Sequence, residues 1–238
     1  MTPATYIKTY PSAAHCARAL GNYAWLRDSA APLILPEIRA VSADRITFAY
    51  IDGRHAAAAD LPVLAAHLGD AHGAAWITSL HQAHLERPYT SPDGHRIPDA
   101  VTPRRALLTP AALAALTDGP AAFYKDANLR NTLVTAPGRF ITLDVDQLTL
   151  APFGYDLAKL IVSLAMTHGP LPDHTVHTAL ARYNAAAARH DRRLGRTSLK
   201  RFLQYTQIHA TLTGPYLGRH GYQHLWQQPA EPAAKAHR

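Results

Sequence analysis

Two apolar segments joined by a short turn, near the middle of the chain, constrain the fold most. The turn sequence Ala136-Pro137-Gly138 separates AFYKDANLRNTLVT from GRFITLDVDQLTL, as expected for a hairpin of two strands. Helical periodicity characterises the three segments that follow, GYDLAKLIVSLAMTHG, DHTVHTALARYNAAAARH and TSLKRFLQYTQIHATLTG. This order predicts a hairpin enclosed within a predominantly helical body.

The first part of the chain is typical of a small unit of strand, helix and strand. TYIKTY has the alternation of a strand, and Ser12 is a suitable N-cap for a helix through AAHCARALGNYAWLRD. ITFAYI is rich in β-branched and aromatic residues and ends at Asp52-Gly53, which indicates a turn. We therefore predict an N-terminal unit that ends in a hinge over residues 1–53, and a helical unit that holds the hairpin over residues 54–238.

Two more helices are predicted between the hinge and the hairpin. Apolar residues recur at helical spacing over residues 61–85, although Gly69 and Gly73 leave open whether this is one uninterrupted helix. TPAALAALTDG predicts a short helix with Thr109 as its N-cap. The stretch TSPDGHRIPDAVTP is expected to be a loop, and the tail after Trp226 is expected to be frayed.

Composition narrows the class of protein and of partner. The formal net charge of +7 favours an anionic partner, a class that includes nucleotides, phosphorylated metabolites, acidic peptides and nucleic acid. With Cys16 as the only cysteine, no internal disulfide can form, which fits a reducing cytoplasm. The longest apolar stretch, residues 157–166, contains Lys159 and is too short to cross a bilayer, so the sequence predicts a cytoplasmic protein without a membrane partner.

A cluster of basic residues lies between two of the predicted C-terminal helices. Two interpretations stay open, namely a solvated helix face and a docking patch for an acidic substrate or partner. Aromatic residues do not interleave with the cluster as they do in a stacking platform, so nucleic-acid binding is not predicted. The cluster consists of Arg192, Arg193, Arg196, Lys200 and Arg201.

The spacing of three polar residues around the predicted hairpin indicates a catalytic site. Asn131 follows Asp126 by five positions, and an apolar strand then ends at Asp144. Phosphoryl transfer requires a carboxylate that accepts the proton of the attacking hydroxyl, and amide and carboxylate oxygens that hold magnesium. A hairpin would bring all three side chains to one end of the same ribbon. Asp126 and Asn131 alone are also typical of a turn, and Asp146 is an alternative metal ligand to Asp144.

These residues resemble motifs of the aminoglycoside phosphotransferase family, the aminoglycoside- and choline-kinase-like group that shares the protein-kinase fold. The family's catalytic loop has the form HGDxxxxN and is followed by a hydrophobic strand, an aspartate and a YDLA segment. This chain has YKDANLRN at residues 124–131, ITLD at residues 141–144 and GYDLAKL at residues 154–160. The resemblance implies an α+β, protein-kinase-like bilobal fold with a mostly helical C-terminal lobe, and it implies ATP and Mg²⁺ as cofactors.

The resemblance also implies a role for each central residue. Asp126 is expected to be the catalytic base, and Asn131 and Asp144 are expected to bind magnesium. Asp156 is expected to support the catalytic loop by hydrogen bonding. This chain has YKD where the family has HGD, and Lys125 is a candidate to neutralise the transferring phosphoryl group.

Residues near the N-terminus are expected to bind the nucleotide. TYIKTY looks like the strand whose lysine pairs with the nucleotide phosphates, which would give that role to Lys8. In the following helix Asn22 stands where the family has a glutamate that pairs with this lysine. FAYIDG resembles the family's hinge, so the backbone of Tyr50 and Ile51 is expected to hold the adenine edge.

Only seven residues precede Lys8, which predicts a truncated N-terminal lobe without the phosphate-covering Gly-rich loop. A partner protein or the substrate is then expected to close the nucleotide site on that side. The predicted activity is transfer of the γ-phosphoryl group of ATP to a hydroxyl, either of a small molecule such as an antibiotic or metabolite, or of Ser or Thr in a precursor peptide. The alternative is a pseudokinase that acts as a nucleotide- or peptide-binding subunit without turnover.

Overall fold

Three antiparallel strands and one helix form the N-terminal part of the protein. The computed structural model describes residues 4–136, 138–227 and 229. Strand β3 (Arg45–Ala49) pairs with β1 (Thr5–Thr9) on one side and with β2 (Ile38–Val41) on the other. Helix α1 (Ala13–Ser29) packs beside this sheet through a small cluster of buried residues. Lys8 is partly buried, whereas the other residues of β1 are exposed.

The sequence predictions for this part are largely confirmed. Ser12 is the N-cap of α1, and its hydroxyl accepts a hydrogen bond from the backbone N–H of His15. Both predicted strands are present as β1 and β3. Strand β2 is not evident from the sequence pattern because it is a short edge strand in which three of four residues are exposed.

Helix α2 (Leu61–Thr78) is continuous and packs closely against α5 (Asp173–Ala188). A Cβ atom at Gly69 would collide with the backbone of Tyr183, and one at Gly73 would collide with the ring of His190. Glycine is therefore used here for close approach of the two helices, and it does not end α2. The two glycines therefore do not interrupt the helix, but α2 ends at Thr78, before the predicted limit at residue 85.

Two antiparallel strand pairs carry the central motif. Strand β7 (Ala121–Tyr124) pairs with β10 (Thr149–Pro152), and β8 (Thr132–Thr135) pairs with β9 (Arg139–Thr142). The second pair is the predicted hairpin, and Pro137 of its turn lies outside the described residues. The loop between β7 and β8 and the loop between β9 and β10 therefore start and end close together.

Two minor ladders complete the sheet structure. Strand β4 (Arg54–His55) adds to the edge of β8, so the segment after the predicted hinge contacts the hairpin. Strands β5 (Tyr89–Thr90) and β6 (Arg96–Ile97) form a two-residue ladder inside the stretch predicted to be a loop. Ladders this short carry too few residues for a strand pattern to appear in the sequence.

The remaining helices build the core around α4 (Tyr155–His168), which is buried from Tyr155 to Met166. Helix α6 (Leu199–Thr213) packs against it, and the short α3 (Pro110–Ala115) begins at the predicted N-cap Thr109. Among the residues that the structure describes, no helix is long and apolar enough to span a bilayer.

Candidate active site

A cavity of about 480 Å³ lies between the N-terminal sheet and the hairpin. Its polar end is lined by Lys8, Asn131, Asp144 and Asp146. The opposite end is lined by apolar and aromatic side chains and by the predicted hinge, with Ile46, Phe48, Tyr50, Ile51 and Leu133 among its residues. The volume and the few convergent polar groups are typical of a small-molecule site.

Lys8 lies between two carboxylates at the polar end. Its Nζ atom is 2.6 Å from Asp144 Oδ1 and 2.7 Å from Asp146 Oδ2. Partial burial lowers the pKa of Lys8, but the hydrogen bonds and charges of Asp144 and Asp146 outweigh it, so the net shift is upward. The lysine is therefore a fixed positive charge at this end of the cavity.

Asn131 and Asp144 line the same cavity because a backbone hydrogen bond joins the loops that carry them. The backbone N–H of Leu143 donates to the Asn131 carbonyl over 2.8 Å. Asp144 has a left-handed backbone conformation with φ +54°, which turns its carboxylate away from the line of the strand. The Asn131 Nδ2 group donates to the Asp126 carbonyl over 3.2 Å, so the amide oxygen is the atom that remains for a cation.

The oxygen atoms at this end are of the kind that magnesium prefers as ligands. Asn131, Asp144 and Asp146 supply hard oxygen ligands. Within the described ranges, no group of three or more His, Cys, Asp or Glu side chains could hold a metal without help. Magnesium is usually bound by one or two carboxylates together with substrate phosphates and water, which agrees with this incomplete protein set.

Asp126 lies near the start of the loop after β7, with its carboxylate half-exposed. Its backbone φ is +63°, a left-handed conformation that Asp adopts more readily than most residues. The Tyr124 hydroxyl donates to Asp126 Oδ1 over 2.9 Å, and Lys159 Nζ lies 3.5 Å from the same oxygen. Because both described contacts are made to Oδ1, Oδ2 is the atom available to accept a proton.

Asp156 fixes the backbone on both sides of Asp126. Its Oδ1 accepts a hydrogen bond from the Ala127 N–H over 2.7 Å, and its Oδ2 accepts one from the Lys125 N–H over 3.3 Å. The carboxylate is fully buried, and this burial raises its pKa to about 6 despite the opposing effects of Lys125 and the two backbone bonds. This geometry agrees with the supporting role expected from the YDLA segment.

Buried hydrogen bonds connect the residue that precedes α4 with two other helices. The backbone N–H of Gly154 donates to the Tyr183 hydroxyl over 2.9 Å, and that hydroxyl lies 2.6 Å from His72 Nδ1. Which of these two atoms donates depends on the tautomer of the imidazole. Complete burial lowers the pKa of His72 to about 3, which keeps it neutral over the physiological range.

Asn22 lies behind the cavity, and the predicted contact with Lys8 is not observed. Its Nδ2 atom donates to the carbonyl of Val145 over 3.0 Å and to the carbonyl of Asp146 over 2.8 Å. The Asn22 side chain is buried, and its Oδ1 is 3.0 Å from His95 Nε2. Asn22 therefore holds the backbone beside Asp144 in place, while Asp144 and Asp146 take the pairing role expected of it.

Lys125 points into the core and away from the cavity. The residue is 3% exposed, and its Nζ lies without a hydrogen-bond partner in the described part of the chain, in a small cavity of about 30 Å³. Burial lowers its pKa, an effect only partly offset by Asp156 and Asp126. This position gives no support to the predicted contact with a phosphoryl group, and the cation next to Asp126 is Lys159.

The fold was compared with known proteins. The crystal structure of the apoenzyme of macrolide 2′-phosphotransferase MphH from Brachybacterium faecium superposes with a TM-score of 0.54 and 15% sequence identity, over 89% of this chain and 76% of that chain. This chain shares the fold of a phosphotransferase. No protein-family model matches the sequence, and no curated protein matches it. The likeness therefore concerns the fold, and the roles of individual residues rest on the geometry of the cavity.

Proposed function

We propose that the protein is an ATP- and magnesium-dependent phosphotransferase that transfers the γ-phosphoryl group to a hydroxyl. The observation that supports this most is the convergence of Lys8, Asn131 and Asp144 on one cavity. Asp126 does not line that cavity, but its backbone carbonyl accepts a hydrogen bond from the Asn131 amide. A cation for phosphates, oxygen ligands for magnesium and a partly exposed carboxylate are the groups that phosphoryl transfer requires.

The nucleotide would lie with its adenine at the hinge and its phosphates at Lys8. The Tyr50 N–H already donates to the Ala4 carbonyl over 3.0 Å. We therefore infer that the adenine edge is bound by the Tyr50 carbonyl and the Ile51 N–H, between apolar side chains such as Ile46 and Leu133. Asn131 and Asp144 would hold the magnesium ion, which neutralises phosphate oxygens when bound.

In the proposed transfer step Asp126 acts as the base. Its Oδ2 accepts the proton of the acceptor hydroxyl while the acceptor oxygen forms a bond to the γ-phosphorus. The bond between the γ-phosphorus and the β,γ-bridging oxygen breaks, and its electron pair leaves with ADP. Tyr124 and Lys159 hold Oδ1, so the carboxylate keeps one orientation during this step.

Two classes of molecule are candidates to accept the phosphoryl group. The structural neighbour is named as an enzyme that phosphorylates a macrolide, which is a small hydroxylated molecule. A small hydroxylated antibiotic or metabolite is the first acceptor class for this chain, and Ser or Thr in a precursor peptide is the second. A partner protein that covers the nucleotide site is part of the peptide hypothesis.

A nucleotide-binding subunit without turnover is the second candidate function. It is favoured by the position of Lys8, whose ammonium lies between Asp144 and Asp146 where a metal ion would compete with it. In that case magnesium would add little to nucleotide binding, and no transfer would follow.

Thermal stabilisation and turnover separate the two candidates. Addition of ATP should raise the Tm of the wild-type protein, and the rise should depend on Mg²⁺. The Asp126→Asn variant should keep this stabilisation while ATP turnover with an acceptor, or its slow hydrolysis with water, is lost. If ATP raises the Tm of wild type and variant equally and neither protein turns ATP over, the result would favour a nucleotide-binding subunit without catalytic activity. A protein that ATP does not stabilise at all would contradict both.

A further inference from the structure

A C-terminal segment packs against α4 and contacts the loop that carries Asp126 and Asn131. We call residues 216–226 the strap. The backbone N–H groups of Gln223 and His224 both donate to the Met166 carbonyl at the end of α4, over 2.7 and 2.9 Å. Tyr222 is 6% exposed and its hydroxyl lies 3.3 Å from Ser163 Oγ. These contacts fix the Tyr222 ring against α4.

Two cations from different elements meet at this ring. The guanidinium carbon of Arg130 and the Nζ of Lys159 each lie 5.7 Å from the centroid of Tyr222. Both distances are within the range of cation–π attraction. Arg130 also donates a hydrogen bond to the His220 carbonyl, and a Cβ at Gly221 would lie 2.9 Å from its Nη2. The strap therefore contacts Arg130 through the Tyr222 ring and the His220 carbonyl, and the absence of a side chain at Gly221 leaves space for the guanidinium.

Each cation lies beside a residue of the candidate site, and Lys159 is 9% exposed and is not among the residues that line the cavity. Arg130 lines the cavity next to Asn131, and Lys159 lies 3.5 Å from Asp126 Oδ1. No ion pair connects Arg130 to a carboxylate within the described ranges of the chain, and the strap sequence contains neither Asp nor Glu. An anion that bridges the phosphate end of the cavity and Asp126 would therefore meet two positive charges and no competing acid from the strap.

We propose that Arg130 and Lys159 bind the γ-phosphoryl group of ATP as a pair, and that Tyr222 of the strap positions both. This rests on the proposed function and extends it to two motif residues to which the resemblance gives no role, and to Tyr222, which lies outside the motifs. As the acceptor oxygen bonds to the γ-phosphorus and the β,γ-bridging oxygen leaves with ADP, the equatorial phosphoryl oxygens keep their negative charge, and the pair stabilises it. Lys159 would then be shared between Asp126 and the phosphoryl group.

The affinities for ATP and ADP provide a test that needs no acceptor. Dissociation constants for Mg·ATP and Mg·ADP would be measured by calorimetry for wild type, Arg130→Gln and Lys159→Gln. Each variant should weaken ATP binding by about 10-fold and leave ADP binding within about twofold, since ADP lacks the group that the pair contacts. Arg219→Gln is the matched control, because Arg219 is an exposed arginine of the strap that does not line the cavity.

Tyr222→Leu tests the positioning role, since it keeps an apolar side chain but removes the ring. It should reduce the preference for ATP over ADP in the same direction as the two cation variants, with an unchanged circular dichroism spectrum. Equal losses of ATP and ADP affinity in the cation variants, or no loss, would overturn the inference while leaving the proposed function intact. If wild type binds neither nucleotide, the proposed function and the inference both fail.

Discussion

At the scale of single residues, the orientation of Asp126 depends on the phenol of Tyr124. Burial is the largest of the effects that raise the pKa of Tyr124, so its hydroxyl stays protonated and donates to Asp126 Oδ1. The family that the sequence resembles has a histidine at this position. A tyrosine hydroxyl can supply the hydrogen bond without a change of charge near neutral pH.

Removal of this hydroxyl should therefore slow turnover without loss of nucleotide affinity. For Tyr124→Phe we expect the rate of ATP turnover to fall about 10-fold, because one hydrogen bond to the charged base is lost. The Kd for Mg·ATP should remain as in wild type. Tyr216→Phe, at an exposed tyrosine of the strap, is the control. A rate unchanged in Tyr124→Phe would show that the phenol does not orient the base.

The spacing in the sequence predicts that the residues of the central motif lie close together, but it does not predict the direction in which each side chain points. Asn131 and Asp144 share a cavity because a hairpin connects their loops, and this is a local relation that a sequence can encode. Tertiary packing buries both Lys125 and Lys159, but only Lys159 has its ammonium beside the carboxylate of Asp126. Arg130 and Tyr222 are 92 positions apart in sequence, and no local pattern signals their contact.

At the scale of elements, the start of α4 depends on helices far away in sequence. His72 of α2 and Tyr183 of α5 are joined to the Gly154 N–H, and Gly154 precedes the first turn of α4 with φ +89°. Asp156, which braces the catalytic loop, lies in that first turn. The neutral state of His72 is therefore connected with the geometry at Asp126.

This connection predicts a dependence of stability on pH. The pKa of His72 falls from its ordinary 6.5 to about 3 in the folded protein, so only the unfolded chain gains this proton as the pH drops below 6.5. The contribution of His72 to the free energy of unfolding should decrease by about 2 kcal/mol between pH 7 and pH 5. Urea unfolding of wild type and His72→Gln at both values measures it.

The comparison with the variant is needed because other buried groups titrate in the same window. The raised pKa of Asp156 works in the opposite direction, since the folded protein holds that proton more tightly as the pH falls below about 6. Burial also lowers the pKa of His209, so its contribution to the free energy of unfolding decreases as the pH falls, in the same direction as that of His72. If wild type and His72→Gln lose the same stability between pH 7 and pH 5, His72 is not the group responsible.

Element types were easier to predict than short pairings. The helices have clear apolar periodicity or caps, as at Ser12 of the long α1 and Thr109 of the short α3, and the structure contains them. Strands β2, β5 and β6 have two to four residues, too few for periodicity. The continuity of α2 through Gly69 depends on its contact with α5, which the sequence alone does not show.

At the scale of the whole molecule, the cavity joins residues from the first strand, the hinge and the hairpin. Lys8 and Asp144 are 136 positions apart, yet they form an ion pair at its polar end. The fold that achieves this is shared with a macrolide phosphotransferase at 15% identity. The predicted division at residue 53 and the predicted truncation of the N-terminal lobe remain predictions.

The central claim is that this cavity binds a nucleotide together with magnesium through Asp144. Calorimetric titration of ATP into wild type and Asp144→Asn, with Mg²⁺ and with EDTA, tests it most directly. We expect wild type to bind ATP at least about 10-fold more tightly with Mg²⁺, and the variant to lose most of this difference, since its amide is a poorer magnesium ligand. The same dependence on Mg²⁺ in both proteins, or no binding of ATP by wild type, would contradict it.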